Sequence, residues 1–354
     1  MTTETNPVRD DDGVARRTAR QASASHWPPV RIVALGGGTG LPTVLEGLCT
    51  EAEACGEHAR DSVTAVVTVT DDGGSSGRLR REFGVLPPGD VRNCLVAFAE
   101  TNSPFRELLQ HRFTGASAFD GHAVGNLLLT ALCQMTGDFP EAVRRLSELV
   151  PLRGRVLPST GENVRLRAEL ESGETLLGET TIVGKRAAIR RLSLEPSPRP
   201  VPDVVRALVN ADGIVIGPGS LYTSIIPTLL VEGIASTISA VNAVRIYVAN
   251  LMTEPGETDG YRLDDHLRAI RLHTGWDLFD YVLENTAPFD PEIAERYSAR
   301  GSFPVVRSSS ARWLGTARIV ECDLAPDDTG GKIRHQPRAL ARAIRSLVAA
   351  GRSV

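Results

Sequence analysis

The fold of this chain is decided by the stretch Val30-Arg31-Ile32-Val33-Ala34-Leu35-Gly36-Gly37-Gly38-Thr39-Gly40. Its first six residues are mostly apolar, which is typical of a buried strand. The glycines that follow end the strand, and residues 41–49 then place apolar side chains at helical spacing, with Pro42 tolerated in the first turn. The segment therefore predicts a strand, a glycine turn and a helix.

The same order of strand, polar loop and helix recurs along the chain. A second buried strand is predicted at 63–69, and further ones at 213–216 and 245–249. Strands that alternate with helices indicate a parallel sheet with helices on both faces. We therefore predict an α/β protein with a Rossmann-like three-layer parallel sheet, folded as a single domain over residues 30–354.

Two regions depart from this pattern. Residues 155–195 contain segments in which apolar and polar residues alternate, and these predict a small antiparallel β insertion. Residues 1–29 are polar and mixed in charge, without the apolar stretch of a secretory signal. They predict a disordered leader.

Composition limits the class of protein. The formal net charge of −4 gives no electrostatic reason to expect a nucleic-acid partner. No apolar run approaches the roughly 20 residues that a membrane helix needs, so no membrane span is predicted. The five cysteines are scattered and contain no C-x-x-C pair, which argues against a disulfide framework and a zinc site. Together these features predict a soluble, cytoplasmic protein.

Polar loops that contain glycine follow four of the predicted strands, at 36–40, 71–77, 217–224 and 250–261. Ligands of open parallel sheets bind outside the carboxyl ends of the strands, so we expect these loops to share one edge. Glycine lets main-chain amides approach a phosphate, and a following helix adds its positive end. The first loop is neither a Walker A loop nor a G-x-G-x-x-G motif. A tight strand–helix corner without a ligand is the alternative.

Polar side chains in these loops suggest the chemistry of the site. Asp71 and Asp72 end a strand and can hold Mg²⁺ or a ribose hydroxyl, or they form a solvated turn. Asp90 is expected as the N-cap of a helix at 91–100. His122 and Asn126, four residues apart on one predicted helix, either orient a phosphate or sugar, or His122 bonds the backbone where the helix starts. Acidic residues at 254–259 either serve a sugar or metal or cap a helix at 264–273.

The candidate ligand-binding residues drawn from these segments are Gly37, Gly38, Thr39, Gly40, Asp71, Asp72, Ser75, Ser76, Arg78, Asp90, Arg92, Asn93, His122, Asn126, Gly217, Gly219, Ser220, Thr223, Ser224 and Asn250. The residues in and after the second loop include arginines that can neutralise a phosphate. No nucleophile can be assigned from the sequence, because no serine or cysteine triad order is defensible.

Taken together, the loops resemble those of the CofD/YvcK family over residues 30–350. The resemblance rests on seven ordered motifs, among them the glycine loop at 36–40, Asp-Asp-Gly-Gly-Ser-Ser-Gly-Arg-Leu-Arg at 71–80, Pro-Pro-Gly-Asp-Val-Arg-Asn at 87–93 and Gly-Pro-Gly-Ser-Leu-Tyr-Thr-Ser at 217–224. The second and the last of these are more similar to the YvcK branch than to the 2-phospho-L-lactate transferases. The sequence departs from the family pattern at Gln336 and at 308–312.

The resemblance implies a cytoplasmic protein that binds UDP-sugars such as UDP-N-acetylglucosamine and acts in cell shape and envelope growth on gluconeogenic carbon. It also implies that Tyr297 and Arg334 contact the nucleotide-sugar. The alternative is a phosphotransferase in which Asp71 and Asp72 hold Mg²⁺. A dinucleotide oxidoreductase is the weakest hypothesis, because the last glycine of its fingerprint is replaced by Leu41. Turnover stays open, and a homodimer is an expectation.

Overall fold

The structure, a computed structural model, describes residues 30–56, 62–308, 313–325 and 333–351, so the leader predicted at 1–29 lies outside the described residues. In chain order the strands are β1 (Ile32–Gly36), β2 (Val63–Val67), β3 (Arg155–Pro158), β4 (Arg165–Leu170), β5 (Thr175–Leu177), β6 (Ile189–Glu195), β7 (Gly213–Ile216), β8 (Val244–Val248), β9 (Tyr281–Asn285), β10 (Trp313–Leu314) and β11 (Ala317–Cys322).

The helices are α1 (Gly40–Ala54), α2 (Gly74–Phe83), α3 (Gly89–Phe98), α4 (Pro104–Gln110), α5 (Val124–Thr136), α6 (Phe139–Leu149), α7 (Glu179–Lys185), α8 (Pro202–Val209), α9 (Ile226–Leu230), α10 (Ile234–Ala240), α11 (Leu263–Thr274), α12 (Pro291–Ser298) and α13 (Pro337–Gly351). A π-helical turn at Leu221–Ile225 leads into α9. The strand–turn–helix unit predicted from the first segment is confirmed by β1 and α1.

The main sheet has the strand order β10-β11-β9-β8-β7-β1-β2-β3, and every neighbouring pair is parallel except β10 with β11. Helices cover both of its faces, which confirms the predicted α/β class. All residues of β1 and β7 are buried. This explains why these strands read as continuous apolar runs, because a central parallel strand has no solvent-facing side.

The register of the sheet brings the ends of four central strands to one level. Gly36 at the end of β1 pairs with Val67 of β2, and Leu35 pairs with Ile216 of β7. Ile216 in turn pairs with Tyr247 of β8. The loops that leave these four strands therefore start side by side, as predicted for a shared edge.

The β insertion is smaller than the sequence predicted. Its three strands run in the order β5-β4-β6 with antiparallel pairing, so it begins at Arg165. Arg155–Pro158 instead forms β3, which pairs in parallel with β2 at the edge of the main sheet. The alternation of buried and exposed residues in β3 reflects an edge strand, which a two-residue period alone does not distinguish from a hairpin strand.

Among the described residues, no single helix has the length and apolar character needed to cross a bilayer. Two consecutive helical segments, Leu221–Leu230 and Ile234–Ala240, pass that test only together, and they are bent by 75° at the break between them.

Candidate functional site

The glycine loop after β1 is clamped between its neighbours. A Cβ atom on Gly37 would lie 2.6 Å from Asp90 Oδ2 and 2.6 Å from the methyl group of Thr68. A Cβ atom on Gly40 would lie 2.3 Å from the carbonyl oxygen of Pro218. Side chains are excluded at both positions, so the glycines are required by the close approach of the adjacent loops.

The loop after β7 is fixed to the end of β8 by one side chain. Asn250 accepts a hydrogen bond from the Gly219 amide at 3.0 Å, and its own amide group donates to the Gly219 carbonyl at 2.8 Å. On the other side, the Thr70 hydroxyl donates to the Thr223 carbonyl at 3.3 Å. Together with the clamp on the glycine loop, these contacts show that the four predicted loops converge.

The acidic residues of the fourth loop stabilise the π-helical turn. Glu257 accepts hydrogen bonds from the Tyr222 amide at 3.2 Å and from the Thr223 hydroxyl at 3.1 Å. Burial and the neighbouring carboxylate of Glu254 raise the pKa of Glu257. The helix at 263–274 is capped instead by a reciprocal pair formed by Arg262 and Asp265. The alternative that the acidic residues cap this later helix is thus wrong for Glu257.

A cavity of about 360 Å³ opens where the glycine loop, the Gly-Pro loop and the end of β8 meet. The predicted site residues that line it are Gly38, Thr39, Gly40, Gly219, Ser220, Asn250, Tyr297 and Arg334. The Tyr297 hydroxyl accepts a hydrogen bond from the Ile333 amide at 3.1 Å, so Tyr297 holds the segment that carries Arg334 against the cavity wall. The sequence did not single out Arg300, which lines this cavity together with His335.

Carboxylates gather on the opposite side of the glycine loop. Asp90 accepts a hydrogen bond from the Gly38 amide, and burial, with the nearby Asp71, raises the pKa of Asp90 to about 6. Asp90 is therefore not an N-cap. The helix α3 begins at Gly89, so Asp90 lies in its first turn and Pro88 is at the cap position. The predicted capping role is wrong because the carboxylate accepts its hydrogen bond from the glycine loop instead.

Glu179 joins these carboxylates from the small β insertion. Burial, followed by the charges of Asp71, Asp90, Glu257 and Asp72, raises the pKa of Glu179 to about 9. The sequence gave no local signal for this residue, because Glu179 stands at the start of the short helix α7 far along the chain from the glycine loop. Only the packing of the insertion against the rim places it there.

The two aspartates predicted as a metal site already have partners. Asp71 accepts a hydrogen bond from the Gly73 amide at 2.8 Å. Asp72 accepts from the amide of Thr180 at 2.8 Å and from its hydroxyl at 2.6 Å. Within the described ranges, no group of three or more His, Cys, Asp and Glu side chains is arranged to hold a metal ion. Binding of Mg²⁺ by Asp71 and Asp72 stays a prediction.

Ser75 is the centre of a buried polar network. Its hydroxyl shares a hydrogen bond of 2.8 Å with His122 Nδ1 and accepts one of 3.0 Å from the Asn126 side-chain amide. His122 precedes α5, which begins at Val124, so the predicted sharing of one helix face is wrong. Burial, with the nearby Arg78, lowers the pKa of His122, which favours the neutral ring.

The remaining predicted residues lie around this network and the glycine loop. Arg78 donates to the Asp120 carbonyl at 2.5 Å, and Ser76 accepts from the Gly89 amide at 3.1 Å. Arg92 is buried, and its Nε atom has no hydrogen-bond partner among the described residues. The Asn93 side chain lies 3.5 Å from the Gly38 carbonyl, to which it donates. Gly217 turns the chain at the end of β7 with a φ of +78°. Ser224 lies beside the glycine loop, since a Cβ atom on Gly37 would be 3.2 Å from the Ser224 hydroxyl.

These features define an α/β protein whose convergent loops form a polar rim and a cavity at the carboxyl ends of a parallel sheet. The chain belongs to the CofD family: the family model described as 2-phospho-L-lactate transferase CofD matches residues 32–322. The resemblance drawn from the loop motifs is thereby confirmed.

Individual relatives agree with this assignment. A relative from Nostoc sp. is 46% identical over 316 residues, which cover 89% of this chain and 68% of the relative. The gluconeogenesis factor of Bacillus subtilis is 42% identical over 276 residues, or 78% of this chain and 84% of that protein. A crystal structure of a UPF0052 family member from Bacillus halodurans is 39% identical, with a TM-score of 0.83 over 89% of this chain and 98% of the other.

Proposed function

We propose that this chain is a regulatory protein that binds a nucleotide-sugar of the UDP-N-acetylglucosamine type and is needed for cell shape and envelope growth under gluconeogenic conditions. One observation carries the proposal. The cavity of about 360 Å³ combines the start of α1 and the Gly-Pro loop with an aromatic ring, Tyr297, and the guanidinium groups of Arg300 and Arg334. Main-chain amides, arginines and an aromatic face are the groups that recognise a nucleoside diphosphate.

The pyrophosphate would lie at the first turn of α1. No side chain caps this helix, whose 15 residues direct their positive end at the cavity. Tyr297 would contact the base, and Arg334 would approach the phosphates from the open side. Glu254 also lines this cavity, and burial raises the pKa of its carboxyl group.

The sugar would extend past the glycine loop toward the carboxylates and the Ser75 network. Asp90 lies against this loop and accepts from the Gly38 amide, and His122 and Asn126 hold the Ser75 hydroxyl nearby. Carboxylate and amide groups are suited to sugar hydroxyls. Arg78 and Arg92 stand on this side, and we assign them to the pyrophosphate, at the end of it that is nearer the sugar.

A phosphotransferase is the second candidate function, and the carboxylates favour it. Burial and the charge of Asp71 raise the pKa of Asp90, and burial together with the charges of Asp71 and Asp90 raises the pKa of Glu179, so a cation would be stabilised among these groups. In this reading Asp71 and Asp72 would hold Mg²⁺, which would neutralise charge on a transferring phosphoryl group.

Calorimetry separates the hypotheses. UDP-N-acetylglucosamine, GDP and a nicotinamide dinucleotide are titrated separately into the wild-type protein, with and without Mg²⁺, and the mixtures are then analysed for product by mass spectrometry. Binding of UDP-N-acetylglucosamine without product supports the regulator. In a separate mixture of the protein with a deazaflavin acceptor and a nucleotide-activated phospholactate, formation of product would refute it in favour of the transferase.

Two arginine variants locate the site. Arg334→Ala should weaken UDP-N-acetylglucosamine binding by about tenfold, since it removes a charge-assisted contact. Arg268→Ala is the matched control, because Arg268 is exposed on α11 and pairs only with Asp265 on its own helix. Equal affinities for the two variants would exclude Arg334 from the site.

The cellular role is tested by complementation. A bacterium that lacks its own member of the family is grown on a gluconeogenic carbon source with the wild-type gene or with Arg334→Ala. Wild-type protein should restore growth and cell shape, and the variant should not. A predicted homodimer is checked in the same preparations by light scattering.

A further inference from the structure

A second cavity, of about 550 Å³, lies on the outer side of α1, away from the glycine loops. Among the described residues that line it, the charged side chains are Arg106, Arg153, Arg338, Arg342 and Glu46. Four guanidinium groups thus face one carboxylate. We name this the basic pocket, and we propose that it binds a small phosphorylated metabolite at a site distinct from the nucleotide-sugar cavity.

Two of the arginines build the wall of the basic pocket. Arg106 forms an ion pair with Glu46, which neutralises the one carboxylate of the lining. Arg153 donates to the carbonyl groups of Ala97, at 3.2 Å, and Ala99, at 3.4 Å, at the end of α3. Arg153 thereby completes the helix terminus, and it also forms an ion pair with Glu53 at 3.5 Å while it lines the cavity.

The other two arginines have guanidinium N–H groups that make no hydrogen bond to the described residues. Arg338 is exposed and makes no hydrogen bond or ion pair within the described part of the chain. Toward the described residues, Arg342 uses only its Nε atom, which donates to Glu51 at 3.2 Å, and 69% of its side chain is accessible. Both terminal nitrogens of Arg342 therefore remain for a ligand. Guanidinium groups with paired free donors match the oxygen atoms of a phosphate.

The backbone adds to this charge. Arg338 and Arg342 are one turn apart on α13, a helix of 15 residues that begins at Pro337 in the pocket wall. The helix start approaches α1 so closely that a Cβ atom on Gly47 would lie 2.0 Å from the Pro337 carbonyl. The close contact fixes the position of both arginines relative to the wall. An anion in the pocket would meet a preformed site at the positive end of a helix.

Size and charge define the class of ligand. A cavity of this volume is larger than a single phosphate requires. Glu46, Glu53 and Glu51 pair with Arg106, Arg153 and Arg342, and the net positive charge that remains with Arg338 favours an anion. Arg334 and His335 belong to the nucleotide-sugar cavity, while the next three residues belong to the basic pocket. The two sites are therefore neighbours along one short segment without sharing a side chain.

Inorganic pyrophosphate is the probe for the test. It is titrated by calorimetry into the wild-type protein, the double variant Arg338→Ala/Arg342→Ala, and a control, Arg268→Ala/Arg271→Ala, which removes two exposed arginines from one face of α11. The double variant should bind pyrophosphate about tenfold or more weakly, whereas the control should match the wild type. If the alanine variant is unstable, a gentler variant, Arg338→Gln/Arg342→Gln, removes the charge but keeps the first two methylene groups and a polar end.

Two outcomes overturn the proposal. An unchanged dissociation constant in both pocket variants would place pyrophosphate elsewhere, including at the glycine loops. Equal weakening in the control would show that net charge alone attracts the anion. Titration of UDP-N-acetylglucosamine into the same variants distinguishes the two sites. Its affinity should be retained when the arginines of the basic pocket are replaced. If it binds none of the proteins, that result would count against the nucleotide-sugar proposal alone.

Discussion

Replacing Glu179 with glutamine tests the crowding of carboxylates around the glycine loop. Burial and the charges of Asp71 and its neighbours raise the pKa of Glu179 from 4.5 to about 9. The folded chain thus holds a proton that the unfolded chain releases once the pH exceeds 4.5. Stability from this group is fully present below that value and is lost as the pH rises toward about 9.

The size of the effect follows from this window. Each pH unit above the ordinary pKa lowers the free energy of unfolding of the wild-type protein by ~1.4 kcal/mol, which amounts to up to about 5 kcal/mol by about pH 8. Local relaxation around the carboxylate reduces this loss to about 2 kcal/mol. Glutamine has nearly the same shape and no charge, so Glu179→Gln should be more stable than the wild type by about 2 kcal/mol at about pH 8. Near pH 5 the two proteins should have almost equal stability.

Urea unfolding in a metal-free buffer at both pH values measures these differences. Glu171→Gln is the matched control, because Glu171 is exposed on the same small insertion. It should leave the free energy of unfolding unchanged at either pH. A stability difference for Glu179→Gln that is the same at about pH 5 and about pH 8 would refute the assignment of Glu179 to the carboxylate group.

Three further substitutions probe the rim. Arg78→Ala should weaken nucleotide-sugar binding by about tenfold with an unchanged melting temperature, and unchanged calorimetry would remove Arg78 from the site. Gly40→Ala should lower the free energy of unfolding by about 1–3 kcal/mol, because the new methyl group meets backbone at 2.3 Å, whereas Gly184→Ala, in open space, should not. Asn250→Ala should cost about 1–3 kcal/mol in urea unfolding by leaving both polar groups of Gly219 without their partner, and Asn250→Asp should not restore this stability, because a buried carboxylate oxygen would face the Gly219 carbonyl.

The central architecture could be predicted because the relevant signals are local. An unbroken apolar run is required wherever a strand is covered on both faces, and β1 and β7 both show it. Convergence of the loops then follows from the parallel direction of the strands rather than from any detail of the loops. Tyr297 and Arg334 were reached only by resemblance to the family, and both line the cavity.

Other features depend on contacts between distant segments. Asp90 looks like an N-cap from its place before an apolar helix, but its carboxylate bonds the Gly38 amide across the rim. Glu179 has no neighbours in sequence that mark it as a site residue. The short strand at Arg155–Pro158 reads like the insertion that follows it, because only its partner strand decides whether it belongs to the main sheet. Each error concerns which distant partner a residue meets, information that a local pattern does not contain.

The attachment of the small insertion to the rim limits how freely parts can be exchanged within this family. Thr180 at the start of α7 holds the Asp72 carboxylate through two hydrogen bonds, and a Cβ atom on Gly178 would lie 2.5 Å from the same carboxylate. A chimera that took its insertion from a distant relative would therefore also replace part of the polar rim. Differences in ligand specificity between branches of the family can thus arise from a segment that, by sequence alone, resembles a peripheral insertion.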